Sequence, residues 1–498
     1  MRIRLLRIGV VVGVVIVVLI GAVFAYYEYR NHQIGRVTVN GLTAQPPSGV
    51  ENIVLVGSTT RCDLKHQNPV FGLCSQGVTG VNSDVVMILH LDPDKHTAAI
   101  LSIPRDLFVP NARSTGANKI DAALSQGPQQ LVRAIQQDLA IPIQHFVELN
   151  FDSFQGVVNA LGGIDMYFPE PVYDAYSQLN VPVAGCRHLN GFEALAVVRA
   201  RHLQYKAPGT RSTNPRTWPQ DPESDLSRIR RDHEFLRVLA GAVSKRGLSN
   251  PVTDNDLIGA VAPQLQVDST LSLGDMFGLV LTFHGVNPAA APQQTLPVMT
   301  SSNLSYYFKG YNYGNVEFAS QPNDLQLVHS FLGIPAGHDT MTGKSLPDPG
   351  SVSVSVLNGT GRSGQAGQTA SGLQALGFNV VSAGDTAPGG SPSETMVYYD
   401  TPSHLAAAQQ VLRSLSGAVA LGQGPTVHGA NVTVVTGSNF SVNLPPAQSN
   451  GSGGSSSAAP PNSGASSASG ALAPPTAPSE PLASFDPRSC TASGGEGP

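Results

Sequence analysis

The feature that most restricts the fold is the alternation of strand and helix patterns in the first half of the chain. Apolar or alternating runs that predict strands lie at residues 52–57, 84–91, 97–103, 145–151 and 164–168. Patterns with apolar residues on one helical face lie at residues 128–139, 154–161 and 224–247. Strands that alternate with helices predict a layered α/β domain. We assign this domain to residues 51–345, with its core at about 51–248.

The composition changes twice further along the chain. After the turn residues at 347–350, an alternating strand at 352–356 and a helix pattern at 366–376 predict a small, separate α/β domain over residues 351–440. Residues 441–498 are rich in Ser, Gly, Ala and Pro and contain few large apolar side chains. Such a segment buries too little surface to offset the entropy of ordering, so we predict a disordered tail.

The N-terminus has the pattern of a membrane anchor. Arg2, Arg4 and Arg7 precede an uncharged apolar run over residues 8–27, which is long enough to cross a hydrocarbon core of roughly 30 Å. Because basic residues stay on the cytoplasmic side, we predict a single-pass cell membrane protein. Residues 1–30 then form a cytoplasmic stub and a transmembrane helix, 31–50 form a linker, and the main domains are extracytoplasmic. The alternative is a cleaved signal peptide, but no suitable small-residue cleavage site follows the run.

Charge and cysteine content narrow the partners and the compartment. The net charge of −5 over 498 residues makes nucleic acid an improbable partner. Cys62, Cys74, Cys186 and Cys490 form an even set in what should be an oxidising compartment. We predict a Cys62–Cys74 disulfide that closes a short loop, and we leave the other pairing open. Free buried thiols or a metal site are the alternatives, although no CxxC spacing supports zinc.

Dispersed basic residues are candidates for binding a phosphate group. Arg105 ends a predicted strand, Lys119 follows, and Arg199 and Arg201 lie two residues apart. Arginine suits planar, bidentate contacts with phosphate oxygens, and residues at i and i+2 share a face only in an extended backbone. The alternative interpretation is a solvated charged edge.

Further charged and apolar residues extend this candidate site. Asp84, at the head of a strand, and Asp106, beside Arg105, offer oxygen ligands for magnesium, or they are ordinary strand-end carboxylates. Arg228 and Arg231 lie three residues apart on one face of the long helix, which is also typical of a solvated face. Apolar side chains that can line a lipid groove, or simply form the core, are Phe146, Phe151, Phe154 and Val158.

Six segments resemble, in order, the LytR-CpsA-Psr family. They are residues 52–57, 82–84, 101–106, 151–165, 189–191 and 198–202. Residues 356–364 and 376–378 are similar to the C-terminal domain that accompanies this family in actinobacteria. The resemblance implies an α/β/α sandwich with a central mixed sheet and a long apolar pocket for a polyprenyl chain.

The resemblance also implies an activity: magnesium-dependent transfer of a glycan phosphate from polyprenyl pyrophosphate to peptidoglycan, with manganese as a possible substitute. Arg105, Arg199 and Arg201 would bind the pyrophosphate, and Asp84 would hold the metal. The residues that would assist on the phosphate side are Lys119, Arg228 and Arg231. The alternatives are a non-catalytic polyprenyl-phosphate or cell-wall binding protein of the same fold, and a lipid-linked pyrophosphatase.

The sequence departs from the family pattern where charges are expected. Thr59 stands where the family usually has a metal-binding aspartate, and Asn82 stands where it has an arginine. A pair of glutamines expected after the helix arginines is replaced by Asp232 and His233. Under the resemblance, Asp63 as a metal ligand and Arg61 as a substrate-binding residue are the nearest substitutes.

Overall fold

The structure, a computed structural model, describes most of the chain after the predicted anchor. The described residues are 28–29, 31–64, 67–223, 225–246, 261, 264–283, 286, 291–300, 305–385, 393–444 and 482–490. The predicted apolar run at 8–27 lies outside them. Within the described residues, no helix combines the length and the apolar character that crossing a membrane requires.

The secondary structure elements are labelled in chain order. The helices are α1 (Pro128–Asp138), α2 (Phe151–Ala160), α3 (Gly191–Val198), α4 (Asp225–Arg246), α5 (Leu273–Phe283), α6 (Asn323–Leu332), α7 (Gln365–Ala375) and α8 (Leu405–Leu412). The strands of the first half are β1 (Gly35–Val37), β2 (Glu51–Ser58), β3 (Ser83–Asp92), β4 (Thr97–Ser102), β5 (Phe108–Arg113), β6 (Gly116–Lys119), β7 (His145–Leu149), β8 (Ile164–Phe168), β9 (Val172–Asp174), β10 (Leu179–Val181), β11 (Gly185–Leu189) and β12 (Gln204–Tyr205). Those of the second half are β13 (Gln266–Asp268), β14 (Gln293–Thr295), β15 (Val298–Thr300), β16 (Tyr307–Phe308), β17 (Tyr311–Asn312), β18 (Glu317–Gln321), β19 (Ser353–Asn358), β20 (Asn379–Asp385), β21 (Thr395–Tyr399), β22 (Leu415–Gln423), β23 (Val432–Thr436), β24 (Phe440–Val442) and β25 (Arg488–Ser489).

The chain forms two compact units. Unit 1 comprises residues 1–102, 143–294 and 479–498, and unit 2 comprises residues 103–142 and 295–478. In unit 2, β18 pairs with β22, and Gln321 lies opposite Gly417. The sheet of unit 2 therefore includes strands on both sides of the boundary predicted at 345–351, and residues 351–440 do not form a sheet of their own.

Unit 1 is an α/β unit with a central mixed sheet, as predicted. The strand order is β1-β13-β7-β2-β3-β4-β14. The central strand β2 runs antiparallel to β3 and parallel to β7. Its residues Val54 and Val56 are buried, as is Ile88 of β3, which explains why these strands read as nearly continuous apolar runs.

Unit 2 contains an eight-stranded sheet. The order β15-β18-β22-β21-β23-β19-β20 forms a continuous path, with β24 paired to β22. Next to the edge strand β20, β19 is parallel to both β20 and β23. Val354 and Val356 of β19 and Val434 of β23 are fully buried, as expected for strands covered on both faces.

The short helix α3 is fixed at its start by a capping box and a close helix contact. Asn190 accepts hydrogen bonds from the backbone of Glu193, and the Glu193 side chain bonds back to Asn190 N. Gly191 N donates to Asn159 Oδ1 at 2.8 Å. A Cβ on Gly191 would lie 2.4 Å from the carbonyl oxygen of Gln155 in α2. The glycine thus permits α2 and α3 to touch.

Gly191→Ala is therefore expected to destabilise unit 1 by about 1–3 kcal/mol, because the added methyl group must displace backbone. The fluorescence of Trp218, the chain's single tryptophan, reports unfolding of unit 1 in urea. Gly241→Ala in α4 is the matched control, since its Cβ would meet nothing within 4 Å. That change should stabilise the unit by about 0.5–1 kcal/mol. Equal effects of the two substitutions would contradict the close contact.

A segment of the predicted tail packs on unit 1. Residues 482–490 lie within the region predicted to be disordered, yet β25 pairs with β8 and places Arg488 opposite Tyr167. Cys490 forms a disulfide with Cys186, which assigns the pairing that the sequence left open. Phe485 stacks on Tyr205 with ring centroids 4.0 Å apart. The prediction of disorder over 441–498 is wrong for this segment because a few specific contacts outweigh its composition.

Candidate functional site

Unit 1 contains a cavity of about 350 Å³ between the central sheet and helices α2, α3 and α4. Its volume lies in the range of small-molecule binding sites. Apolar side chains that line it include Leu55, Met87, Val147, Phe154, Phe235 and Leu236. The charged side chains that line it are Asp84, Arg199, Arg201, Arg228 and Asp232. The cavity therefore combines an apolar wall with a cluster of cationic and anionic groups.

Arg199 is held at the cavity by aromatic rings. It is the C-cap of α3, and its guanidinium carbon lies 4.6 Å from the centroid of Phe71 and 4.7 Å from that of Phe151. Burial lowers the pKa of Arg199, and the nearby positive charge of Arg61 lowers it further. Among the described residues, its buried Nη1 has no hydrogen-bond partner. An anion in the cavity would supply that partner.

The predicted Cys62–Cys74 disulfide is present, and Arg61 directly precedes the loop that it closes. Leu64 and Phe71 of this loop pack with Phe151 and Leu195. Arg61 lies 4.7 Å over the Phe151 ring, and its Nε donates to the Phe71 carbonyl at 3.1 Å. The loop therefore brings a second guanidinium group to the same phenylalanine as Arg199.

Thr59 and Asn82, the two positions where the sequence lacks a charge that the family usually has, lie next to each other. Thr59 N donates to the Asn82 carbonyl at 2.9 Å, and Asn82 N donates to Thr59 Oγ1 at 3.0 Å. Arg61 Nη1 donates to the Thr59 carbonyl. A neutral hydrogen-bonded bridge thus occupies these positions, and Arg61 is attached directly to it.

Arg201 and Arg228 are linked by one carboxylate. Asp225 Oδ1 lies 3.0 Å from Arg201 Nε and 3.3 Å from Arg228 Nη1. Arg228 Nη2 also donates to the Asp84 carbonyl at 2.7 Å. The segment after α3 is not the extended backbone in which residues at i and i+2 share a face, but a turn that follows a helix C-cap. Both side chains nevertheless line the cavity.

One of the two aspartates at the cavity, Asp232, is almost fully buried. Asp232, on α4, is 4% exposed, and burial raises its pKa to about 7, with the charges of Asp225 and Asp84 adding to the effect and those of Arg228 and Arg231 opposing it. Neither Asp232 oxygen accepts a hydrogen bond from a described residue, and Arg228 Nε lies 3.7 Å from Oδ2. His233, the other departure on this helix, turns away from the cavity and contacts Ser102 Oγ at 2.7 Å.

The residues present fit a magnesium ion only through a small ligand set. In the described part of the chain, no group of three or more histidine, cysteine or acidic side chains is placed to hold a metal. Magnesium is often bound by one or two carboxylates, with water and phosphate oxygens completing its shell. Asp84 and the unbonded oxygens of Asp232 satisfy that lower requirement.

Several predicted site residues do not line this cavity. Arg105, Asp106 and Lys119 belong to unit 2, where Lys119 Nζ donates to Asp106 Oδ1 at 2.7 Å and Arg105 Nε lies 3.5 Å from Asp106 Oδ2. The convergence of Arg105 with Arg199 and Arg201 therefore remains a prediction. Asp63 is exposed and accepts a hydrogen bond from Thr60 Oγ1.

Arg231, which the resemblance placed on the phosphate side of the site, lies in a buried ion-pair network. Its side chain is fully buried, with Nη1 2.8 Å from Asp221 and 3.0 Å from Asp486. Its Nη2 donates to the Ala200 carbonyl at 2.6 Å. Because these bonds occupy the guanidinium group, Arg231 does not reach the cavity. It supports the backbone between Arg199 and Arg201.

Sequence reasoning did not single out all of the residues that line the cavity. Tyr176, which lines the cavity, packs on His202 with ring centroids 4.5 Å apart. Phe71, which contacts Arg199 from the disulfide loop, also has no sequence pattern around it. Of the four apolar candidates, Phe151 and Phe154 line the cavity, whereas Phe146 and Val158 are fully buried core residues. The sequence pointed to Asp232 through the family pattern, because an aspartate stands there in place of an expected glutamine.

An apolar cavity with guanidinium groups at one side defines a protein suited to an amphiphilic anion. A family model described as the LytR_cpsA_psr family matches residues 27–321, so the chain belongs to this family and the resemblance seen in the sequence is confirmed. A second model, described as LytR cell envelope-related transcriptional attenuator, matches residues 351–440.

Proteins similar to this chain include two relatives and one solved structure. The probable cell wall biosynthesis protein LcpB of Corynebacterium glutamicum is 28% identical over 311 residues, which cover 62% of this chain and 67% of LcpB. The polyisoprenyl-teichoic acid–peptidoglycan teichoic acid transferase TagV of Bacillus subtilis is 30% identical over 240 residues, 46% of this chain and 55% of TagV. The solved LytR-Csp2A-Psr enzyme from Actinomyces oris is 26% identical, with a TM-score of 0.44 over 53% of this chain and 87% of that one.

Proposed function

We propose that this protein is a cell wall glycopolymer transferase that moves a glycan phosphate from a polyprenyl pyrophosphate carrier to peptidoglycan. The observation that carries the proposal is the cavity of unit 1, in which apolar side chains adjoin Arg199, Arg201 and Arg228. A related protein, TagV, is named as a transferase from a polyisoprenyl-linked teichoic acid to peptidoglycan. A donor of that kind combines a lipid chain with phosphate groups.

The two parts of the donor match the two parts of the cavity. The polyprenyl chain would contact the apolar side chains of β2, β7 and α4, since burying apolar surface is favourable. The diphosphate would accept hydrogen bonds from Arg199, whose Nη1 has no partner among the described residues. Arg61 and Arg201 would add positive charge beside it.

The proposed reaction is a phosphoryl transfer. An acceptor hydroxyl oxygen on peptidoglycan forms a bond to the glycan-linked phosphorus, and the bond from that phosphorus to the bridging oxygen breaks. Polyprenyl phosphate leaves with the electron pair of that bond, and the hydroxyl proton passes to water. The guanidinium groups stabilise the charge on the phosphate oxygens during transfer.

A divalent cation, Mg²⁺ or Mn²⁺, is proposed as the cofactor, and Asp84 is a residue that would hold it. Bound there, it would neutralise part of the charge on the diphosphate. The apolar run at residues 8–27 is proposed to anchor the chain in the cell membrane, with the main domains outside. The enzyme would then meet a donor whose lipid chain lies in the same bilayer.

The test uses the full-length protein in detergent with a defined polyprenyl-diphosphate saccharide and peptidoglycan fragments. We expect saccharide phosphate attached to peptidoglycan and polyprenyl phosphate released in equal amounts. Free saccharide phosphate formed in the presence of acceptor would replace the proposal with a pyrophosphatase. Donor binding without product, in the presence of Mg²⁺, would replace it with a carrier-binding protein.

A further inference from the structure

The structure assigns Asp232, together with Asp84, as the carboxylate pair that holds one divalent cation in the cavity of unit 1. This inference deepens the proposed function and rests on it only for the purpose of the cation, because cation binding is measurable without any substrate. The second metal ligand is then Asp232 on α4, and not Asp63, the loop residue that the sequence suggested as the substitute.

The first argument is that the buried carboxylate of Asp232 is only weakly paired. Its carboxylate is 4% exposed, lines the cavity and accepts no hydrogen bond from a described residue. The nearest cationic atom, Arg228 Nε, is 3.7 Å away, which is too far for a hydrogen bond. Buried carboxylates are normally paired or bound to a metal.

The second argument is that the neighbouring arginine is already engaged. Arg228 Nη1 lies 3.3 Å from Asp225 Oδ1, and its Nη2 donates to the Asp84 carbonyl at 2.7 Å. Asp225 also binds Arg201. These contacts direct Arg201 and the Nη atoms of Arg228 toward Asp225 and the Asp84 carbonyl. Among the described residues, Asp232 is left with a long ion pair to Arg228 Nε and with no hydrogen bond.

The third argument is the second carboxylate in the same cavity. Asp84 lines it as well, and one guanidinium group contacts both residues: Arg228 Nη2 donates to the Asp84 carbonyl at 2.7 Å, and Arg228 Nε lies 3.7 Å from Asp232 Oδ2. Two carboxylates that share a site repel each other unless a cation lies between them. A hard divalent cation suits oxygen ligands, and phosphate oxygens of a bound ligand would complete its coordination.

Asp63 lacks these properties. It is exposed to solvent, its Oδ2 accepts a hydrogen bond from Thr60 Oγ1 at 2.8 Å, and it does not line the cavity. An exposed carboxylate bonded within its own loop provides no buried charge for a cation to balance. Asp63→Asn is consequently the matched control for Asp232→Asn, since both remove one carboxylate charge and keep the side-chain shape.

The experiment titrates full-length protein with Mn²⁺ alone and measures free Mn²⁺ by electron paramagnetic resonance. We expect one tight site in the wild type, a loss of affinity of roughly tenfold or more in Asp232→Asn and in Asp84→Asn, and no change in Asp63→Asn. Mn²⁺ should also raise the unfolding temperature of the wild type but not that of Asp232→Asn. Without metal, Asp232→Asn should unfold no earlier than the wild type, because the amide carries no buried charge.

Unchanged Mn²⁺ affinity in Asp232→Asn, or a loss confined to Asp63→Asn, would overturn the assignment. If the wild type transfers glycan and Asp232→Asn binds Mn²⁺ as tightly as the wild type, this inference is wrong and the proposed function stands. Normal Mn²⁺ binding by wild type, lost in Asp232→Asn, together with no glycan transfer would support the cation site and remove the proposed function instead.

Discussion

Arg199→Ala is expected to reduce the rate of glycan transfer by a factor of roughly 100 or more, the usual cost of losing a charged group that stabilises a reacting anion. The Arg199 guanidinium is partly desolvated between Phe71 and Phe151. Its attraction to a phosphate oxygen is therefore screened less than that of an exposed arginine. The measurement is transfer of radiolabelled saccharide from a polyprenyl-diphosphate donor to peptidoglycan fragments.

Two further substitutions make this prediction specific. Arg199→Lys keeps the positive charge but loses the planar group that stacks on the rings and binds phosphate in a bidentate way, so it should recover only part of the rate. Arg211→Ala removes an exposed arginine of the same unit that does not line the cavity, and it should leave the rate unchanged. Equal rates in Arg199→Ala and Arg211→Ala would exclude Arg199 from the phosphate site.

The local patterns of unit 1 were predictable because they depend on nearby residues. Strands β2, β3 and β4 and helices α2 and α4 fall where the apolar periodicity placed them. The Cys62–Cys74 disulfide also followed from a short separation in an oxidising compartment. These features need only local spacing and the burial of apolar side chains.

Features that depend on distant pairing were not predictable. Strand β22, within residues 351–440, pairs with β18 from before residue 345, and no local pattern shows this pairing across a turn-rich segment. The spacing of three residues suggested that Arg231 shares a helix face with Arg228. One of the carboxylate partners of Arg231, Asp486, is 255 positions away in sequence, in a region whose composition indicated disorder.

The site was predictable in its chemistry and less so in its members. Arg199, Arg201, Arg228 and Asp84 line the cavity as the family motifs indicated. The expectation that Arg199 and Arg201 needed an extended strand was wrong, because a helix C-cap followed by a turn also directs both side chains to one cavity. The structural role of Phe71 was not visible, since an isolated phenylalanine in a loop has no spacing that reveals its partner.

Removing the C-terminal segment is expected to destabilise unit 1 by at least about 3–5 kcal/mol, because the loss of one partner of a buried ion pair usually costs that much by itself. A chain that ends at residue 481 loses Asp486, the Cys186–Cys490 disulfide and strand β25. Arg231, whose side chain is 0% exposed, then keeps Asp221 as its remaining carboxylate partner among the residues described. Urea unfolding followed by Trp218 fluorescence measures the change.

The separate contributions of these contacts can be distinguished by matched variants. A chain that ends at residue 490 retains every described contact and should unfold like the full chain. With the disulfide intact, Asp486→Ala should reproduce the part of the lost stability that is due to the ion pair. Cys490→Ser should reproduce the part due to the cross-link, which typically contributes about 2–4 kcal/mol. A reducing agent should lower the stability of the chain ending at 490 by more than that of the chain ending at 481.

The same truncation should also affect the cavity, because Arg231 contacts both Asp486 of the C-terminal segment and the backbone that carries the cavity arginines. Its Nη2 donates to the Ala200 carbonyl, between Arg199 and Arg201, so a change in the position of Arg231 moves the backbone that carries both cavity arginines. Asp486→Ala is accordingly expected to weaken donor binding even at temperatures where unit 1 remains folded. If the chain ending at 481 matches the full chain in both unfolding and donor affinity, then residues 482–490 neither stabilise unit 1 nor support its cavity.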